Sequence, residues 1–137
     1  MSDDVTYIRK KVEEVLIEVG TIRRMHEAEL RARQEELKPP LMAPFQGRGG
    51  LNLARCYLEV DGVRTQQEIA TTLGLDKGTV SRCLGQLREQ GLIEPVELDD
   101  ERATVHKKNA SYERVFGLSK ELTSKLDAAK TGDKEDE

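Results

Sequence analysis

The N-terminal part of the chain carries apolar residues at the spacing of a long amphipathic helix. From Val5 onward, one series of apolar positions has spacings of 3, 4, 3, 4 and 3 residues. This is the heptad repeat of a coiled coil, in which a narrow apolar seam packs against another helix. The seam consists of Val5, Ile8, Val12, Val15, Val19 and Ile22. We therefore predict a helix from about Val5 to Leu37 whose seam needs a partner.

The partner of this seam is either a second copy of the chain or another element of the same chain. A short domain offers little surface to cover a helix of about 30 Å. Self-association is therefore the favoured interpretation. We expect segment 1–38 to be a dimerisation helix, with the six seam residues as its contacts, and the protein to be a homodimer.

The composition changes abruptly after this helix. Residues 39–50 hold three of the four prolines and three of the 11 glycines of the chain. Such a stretch predicts a linker that ends the helix and separates it from the next domain. We expect this second domain over residues 51–130. The acidic segment TGDKEDE, residues 131–137, is predicted to be a disordered tail.

Two short helical patterns lie close together in the second domain. Thr65 and Glu68 have the spacing of a capping box, which starts a helix that ends at Gly74. A second helix is predicted over residues 77–90. Two short helices joined by a turn that contains a glycine and a buried leucine match the helix-turn-helix motif.

The helix over 77–90 has one apolar and one polar face. At about 100° per residue, its apolar face consists of Val80, Cys83, Leu84 and Leu87. On the polar face, Arg82 can pair with guanine and Gln86 with adenine. The candidate DNA-binding residues of this helix are Lys77, Gly78, Thr79, Ser81, Arg82 and Gln86. Those at the start of the preceding helix, where free amides suit phosphate, are Thr65, Gln66 and Gln67. The alternative for each side chain is a solvated helix face.

Alternating apolar and polar residues after Gly91 predict a β-hairpin, or wing, within residues 94–114. Either the Asp99–Asp100 pair or the later polar loop at 107–109 could be its tip, and the sequence leaves both open. The region has five potential cations: Arg102, His106, Lys107, Lys108 and Arg114. We take Arg102, Lys107 and Lys108 as candidate contacts to the DNA backbone or minor groove. The acidic turn opposes DNA contact there.

The stretch Ile69–Glu94 resembles the winged helix-turn-helix domains of the multiple-antibiotic-resistance regulator (MarR) family and its arsenical-resistance-repressor relatives. The matching positions are Ile69-Ala70, Leu73-Gly74-Leu75, Thr79-Val80-Ser81-Arg82, Leu84, Leu87 and Gly91-Leu92-Ile93. The resemblance spans about residues 51–122. It implies a mainly α fold with a small β-hairpin wing (α+β), here with a long N-terminal heptad helix, and a DNA-binding regulator of transcription.

This sequence departs from those families in two respects. MarR-like proteins usually have substantial C-terminal helices that form the dimer interface, and little sequence follows Leu118 before the acidic tail. The N-terminal helix would then supply most of the dimer contact. The arsenical-repressor relatives often bind metal through cysteines, but Cys83 has no Cys-x-Cys neighbour. We therefore expect no metal site.

Charge and composition exclude several function classes. A formal net charge of -4 argues against nonspecific coating of nucleic acid but allows a site-specific binder. The sequence has no glycine-rich phosphate loop and no paired nucleophile and base, so we expect neither an enzyme nor a cofactor. Two isolated cysteines and short apolar runs favour a cytoplasmic protein without a membrane partner.

These patterns together predict a dimeric, sequence-specific binder of double-stranded DNA that acts in transcriptional control. Helix 77–90 would read the major groove, and the wing would contact the backbone or minor groove. The alternative is a winged-helix protein-interaction module, docked into a larger complex through the N-terminal helix. The acidic net charge favours this alternative.

Overall fold

The computed structural model of the protein describes residues 2–96 and 105–135. Its elements are α1 (Ser2–Ala32), α2 (Gln34–Gln46), α3 (Gly50–Glu59), α4 (Gln66–Leu73), α5 (Lys77–Glu89), β1 (Ile93–Val96), β2 (Val105–Lys108), α6 (Ala110–Phe116) and α7 (Leu118–Glu135). The predicted mainly α fold with a small β-hairpin is confirmed. No helix in these two ranges is long and apolar enough to cross a lipid bilayer.

The hydrophobic core is organised around α3. This helix packs against α2, α4, α5 and α7. Leu53, Ala54, Cys56 and Tyr57, spaced along one face of α3, are all buried. The ring of Phe45 on α2 meets the Tyr57 ring edge-on, with centroids 6.1 Å apart. The single apolar face of α3 thus holds the helix-turn-helix and the flanking helices together.

Local signals set the geometry of the helix-turn-helix pair α4 and α5. The predicted capping box is present: the Thr65 hydroxyl accepts from the Glu68 amide at 3.2 Å, and the Thr65 amide donates to the Glu68 carboxylate at 3.1 Å. Gly74 ends α4 with a φ of 68°, in the left-handed region that glycine adopts without strain. The turn is therefore fixed by residues that the sequence identifies.

The predicted linker is wrong over most of its length. Residues Gln34–Gln46 form α2, which contains Pro39, Pro40 and Pro44. Each proline removes one backbone donor and lowers helix propensity. Met42 and Phe45 are buried against the core, however, and this packing outweighs the local preference. Only the short segment after Gln46 connects α2 to α3 without helix.

The two ends of the chain also differ from the prediction. α1 ends at Ala32, earlier than the predicted Leu37, because the chain turns at Arg33 and sends α2 back onto the core. Leu30, in the last turns of α1, is buried there. At the other end, the backbone of α7 is helical to Glu135 and includes residues 131–135, which were predicted to be disordered. The first turns of α7 contain Leu118 and Leu122, which are both buried in the core, and the helix extends from there to Glu135.

The wing is shorter than the predicted 94–114 range. Strands β1 and β2 are antiparallel, with Ile93 opposite Lys108 and Val96 opposite Val105. The first candidate tip, Asp99–Asp100, lies outside the described residues. The second candidate tip, the predicted polar loop at 107–109, is wrong: Lys107 and Lys108 belong to β2, and Asn109 caps the following helix α6 by accepting from the Tyr112 amide.

Candidate nucleic-acid interface

Helix α5 is held on the core by one face and presents the other outward. Val80, Leu84 and Leu87 are buried, as predicted, and Cys83 is half-buried. At its start, the Asp76 carboxylate accepts a hydrogen bond from the Thr79 amide at 2.6 Å. This bond holds the pKa of Asp76 below its usual range. The helix that carries most candidate residues is thus both packed and capped.

The outer face of α5 is polar and largely open to solvent. The exposed candidates are Lys77, Gly78, Ser81, Arg82 and Gln86. Thr79 is half-buried, and its hydroxyl accepts from the Arg82 guanidinium at 3.4 Å. That contact is long and lies at the surface, so Arg82 keeps most of its donors for another partner. The structure therefore places six candidate residues on one helix and leaves five of them open to solvent.

The start of α4 lies beside the wing. Thr65 bridges to Val105 of β2, which brings this helix end against the hairpin. The Thr65 hydroxyl is engaged in the capping box, whereas Gln67 is exposed and Gln66 is half-buried. Of these three candidates, Gln67 is the side chain with the most open position.

The structure separates the wing cations into different environments. Lys107 is exposed, and its ammonium lies 3.5 Å from the carboxylate of Glu94, its cross-strand neighbour. Lys108 is half-buried, with its ammonium 5.3 Å from the centre of the Tyr57 ring and 3.4 Å from the Leu58 carbonyl oxygen. Arg102 lies outside the described residues. Lys107 is therefore the described wing cation that faces solvent.

Two further residues considered as wing cations serve other contacts. His106 is buried, and burial lowers its pKa, with the nearby Arg88 adding to the effect. Arg114 lies on α6 and pairs with Glu27 of α1. His106 is thus shielded from solvent, whereas Arg114 is exposed but engaged by Glu27 on a different element from the wing.

The apolar seam of α1 is exposed. Its residues, Val5, Ile8, Val12, Val15, Val19 and Ile22, are between 45% and 66% exposed. Nearby on the same helix, Leu16 and Ile17 are also exposed. Residues 3–19 are all exposed, so this part of α1 stands away from the described part of the domain.

The sequence reasoning missed two residues that shape the site. Asp76 caps α5, and an Asp immediately before a predicted helix is a recognisable N-cap signal. Arg88 points from α5 toward the wing, where its guanidinium lies 3.4 Å from His106 Nε2. No short-range pattern indicates this second contact, because it depends on how the hairpin packs on the helix.

The chain is similar to one domain family and to several solved structures. Residues 51–109 match the Crp-like helix-turn-helix domain family. The solved structure of the transcriptional regulator SlyA is 19% identical over 84% of this chain and 76% of that chain, with a TM-score of 0.49. The solved structure of a Staphylococcus aureus MepR–DNA complex is 21% identical over 83% of this chain and 77% of that chain, with a TM-score of 0.49.

A predicted DNA-binding transcriptional regulator from E. coli is 19% identical over 74% of this chain and 97% of that chain, with a TM-score of 0.48. A comparison with curated proteins gave no match. The matched family covers α3 to β2, the segment that contains the two-helix motif and the hairpin. Residues 51–109 therefore match the Crp-like helix-turn-helix domain family, and the structure has two packed helices followed by a β-hairpin in this segment.

Proposed function

We propose that this protein is a sequence-specific binder of double-stranded DNA that regulates transcription as a dimer. The observation that carries the proposal is the division of α5 into a buried apolar face and an exposed polar one. An α-helix fits the major groove of B-DNA, where each base pair presents a distinct pattern of donors and acceptors. The helix-turn-helix family match over residues 51–109 supports the same function.

Different residues would serve different parts of the contact. Arg82 and Gln86 are the candidates for base edges, because guanidinium pairs with guanine and a carboxamide with adenine. Lys77, at the exposed start of α5, and Gln67, at the start of α4, suit phosphate oxygens. Lys107 would reach the backbone beside the groove. The acidic net charge of -4 makes specific contacts more important than a general positive field.

The dimer would form through the exposed seam of α1. A symmetric pair of helix-turn-helix domains reads two half-sites about 34 Å apart, or a multiple of that distance. We therefore expect the bound sequence to be an inverted repeat.

The test is selection of bound duplexes from a randomised library by the full chain, followed by affinity measurements on the enriched duplex. We expect an enriched inverted repeat, and Arg82→Ala should lose about 1–3 kcal/mol of discrimination at one or two base pairs. Lys77→Ala should weaken binding to all duplexes alike and lower the salt slope by about 1. Lys120→Ala, an exposed cation on α7, is the matched control. Absence of any enriched sequence at low salt would contradict the proposal.

The second candidate is a protein-interaction module, favoured by the exposed α1 seam together with the acidic net charge. The two candidate functions predict different effects of a charged residue in the seam on the oligomeric state. If α1 forms the homodimer, Val12→Asp should give a monomer in sedimentation equilibrium. A wild-type chain that is already monomeric would favour the interaction module.

A further inference from the structure

The charged residues beside the seam of α1 distinguish parallel from antiparallel pairing of the helix. In heptad notation, with Val5 at position a and Ile8 at position d, the flanking positions e and g carry the side chains that set partner choice and orientation. The g positions are Asp4, Lys11, Glu18 and Met25, and the e positions are Arg9, Leu16 and Arg23. All seven side chains are exposed.

We infer that α1 pairs with α1 of a second copy in parallel and in register. In that arrangement a g residue lies next to the e residue five positions later on the other helix. Asp4 then faces Arg9 of the second copy, and Glu18 faces Arg23. Both pairs have opposite charges, and by symmetry each occurs twice. Lys11 lies against Leu16, which its aliphatic stem can cover.

The antiparallel arrangement brings fewer of these charges together in favourable pairs. With the two seams fully overlapped, Val12 faces Val15 of the second copy, and g residues face g residues. Lys11 then faces Glu18, which gives one favourable pair, repeated twice by symmetry. Arg9 and Arg23 have no carboxylate opposite them in this arrangement. The parallel pair therefore has four favourable contacts, against two in the antiparallel pair.

The parallel arrangement also suits the position of the DNA-binding domain. The seam from Val5 to Ile22 is about 26 Å long, at 1.5 Å per residue, and the winged domain packs at its C-terminal end, where Glu27 and Leu30 are buried. Parallel pairing brings both domains to one end of the paired helices. Antiparallel pairing would place them at opposite ends. This inference rests on the dimer of the proposed function and specifies its geometry.

Disulfide trapping separates the two arrangements. In the parallel pair, Val5→Cys places its thiol beside the same thiol of the second copy, and mild oxidation of the full chain should give a covalent dimer. In the antiparallel pair, the two thiols lie about 26 Å apart along the axis. Ile17→Cys, exposed but away from the seam, is the matched control and should stay monomeric on a denaturing gel, as should the wild type. Failure of Val5→Cys to cross-link would overturn the inference.

A charge-swap cycle gives an independent measure of the dimer dissociation constant. Glu18→Arg and Arg23→Glu should each weaken the dimer about tenfold, because each places like charges together twice. The double variant Glu18→Arg/Arg23→Glu should recover the wild-type constant. An antiparallel dimer would be weakened by Glu18→Arg, barely changed by Arg23→Glu and not rescued by the double variant.

Sedimentation equilibrium also reports the number of chains, and a monomer or a trimer would overturn the inference. Neither experiment uses DNA. A failure of the pairing can therefore be told apart from a failure of DNA binding, which the Arg82 variant tests.

Discussion

The carboxylate of Glu27 on α1 accepts a hydrogen bond from the guanidinium of Arg114 on α6. Glu27 is only 6% exposed, and the Arg114 hydrogen bond holds its pKa below the usual range. The pair joins residues 87 positions apart in the sequence. It connects α1 to α6, and so links the helix of the proposed dimer contact to the domain of the proposed DNA contact.

Removing only one partner of this ion pair should destabilise the fold. Arg114→Met leaves the Glu27 carboxylate without its main partner in a buried place, and we expect a lower Tm. The double variant Glu27→Met/Arg114→Met removes both charges, so its Tm should lie closer to that of the wild type. Thermal unfolding followed by circular dichroism measures both. Lys10→Met, which removes an exposed cation of α1 that does not act on Glu27, is the control, and an equal Tm for it and Arg114→Met would contradict the expected role of the pair.

Gly85 offers a test that separates stability from DNA binding. It lies inside α5, and a Cβ added there would meet nothing within 4 Å. Because alanine is the better helix former, Gly85→Ala should raise the free energy of unfolding by about 1 kcal/mol. If α5 lies close to a duplex, the same methyl group should weaken binding to the selected sequence. Urea unfolding and DNA titration together give the result; higher stability with unchanged affinity would place Gly85 away from the DNA.

The two adjacent wing lysines should behave differently. Lys107→Ala removes an exposed charge, so DNA affinity should fall for all sequences and the salt slope should decrease by about 1. Lys108→Met keeps the apolar stem but loses the contacts with the Tyr57 ring and the Leu58 carbonyl. We expect it to lower the free energy of unfolding by about 1 kcal/mol and to leave the salt slope unchanged. If Lys108→Met lowered the salt slope and Lys107→Ala lowered only the free energy of unfolding, Lys108 rather than Lys107 would be the wing lysine that contacts DNA.

The helix-turn-helix was predictable because its signals are local. Thr65 and Glu68, three residues apart, form the capping box. Gly74 ends α4 because glycine adopts a positive φ without strain. The apolar face of α5 repeats at the helical period, so the spacing of Val80 and Leu84 alone assigns both residues to the core. These features depend on neighbours in sequence.

The features that the sequence did not predict depend on distant neighbours. The prolines of α2 argue against a helix, and only the burial of Met42 and Phe45 against α3 reverses that preference. The direction of Lys108 depends on the pairing of β1 with β2 and on Tyr57, about 50 residues earlier. A cation count in the wing could not distinguish a lysine that faces solvent from one that lies on a ring.

His106 predicts a specific dependence of stability on pH. Burial, with Arg88 nearby, lowers the pKa of this imidazole below its ordinary value of about 6.5 in the unfolded chain. Between these two pKa values the unfolded chain binds more protons than the folded one, so stability should fall as pH decreases below about 6.5. The contribution of this one proton cannot exceed about 1.4 kcal/mol per pH unit.

The variant His106→Gln isolates this contribution, because glutamine keeps a hydrogen-bond acceptor for Arg88 and does not titrate. Urea unfolding at several pH values between about 5 and 7.5 should show a flatter profile for the variant than for the wild type. Above about pH 7 the two slopes should coincide, since the imidazole is then neutral in both states. Parallel profiles below about pH 6.5 would mean that His106 gains a proton as readily when folded as when unfolded, and that neither its burial nor Arg88 disfavours the charged ring.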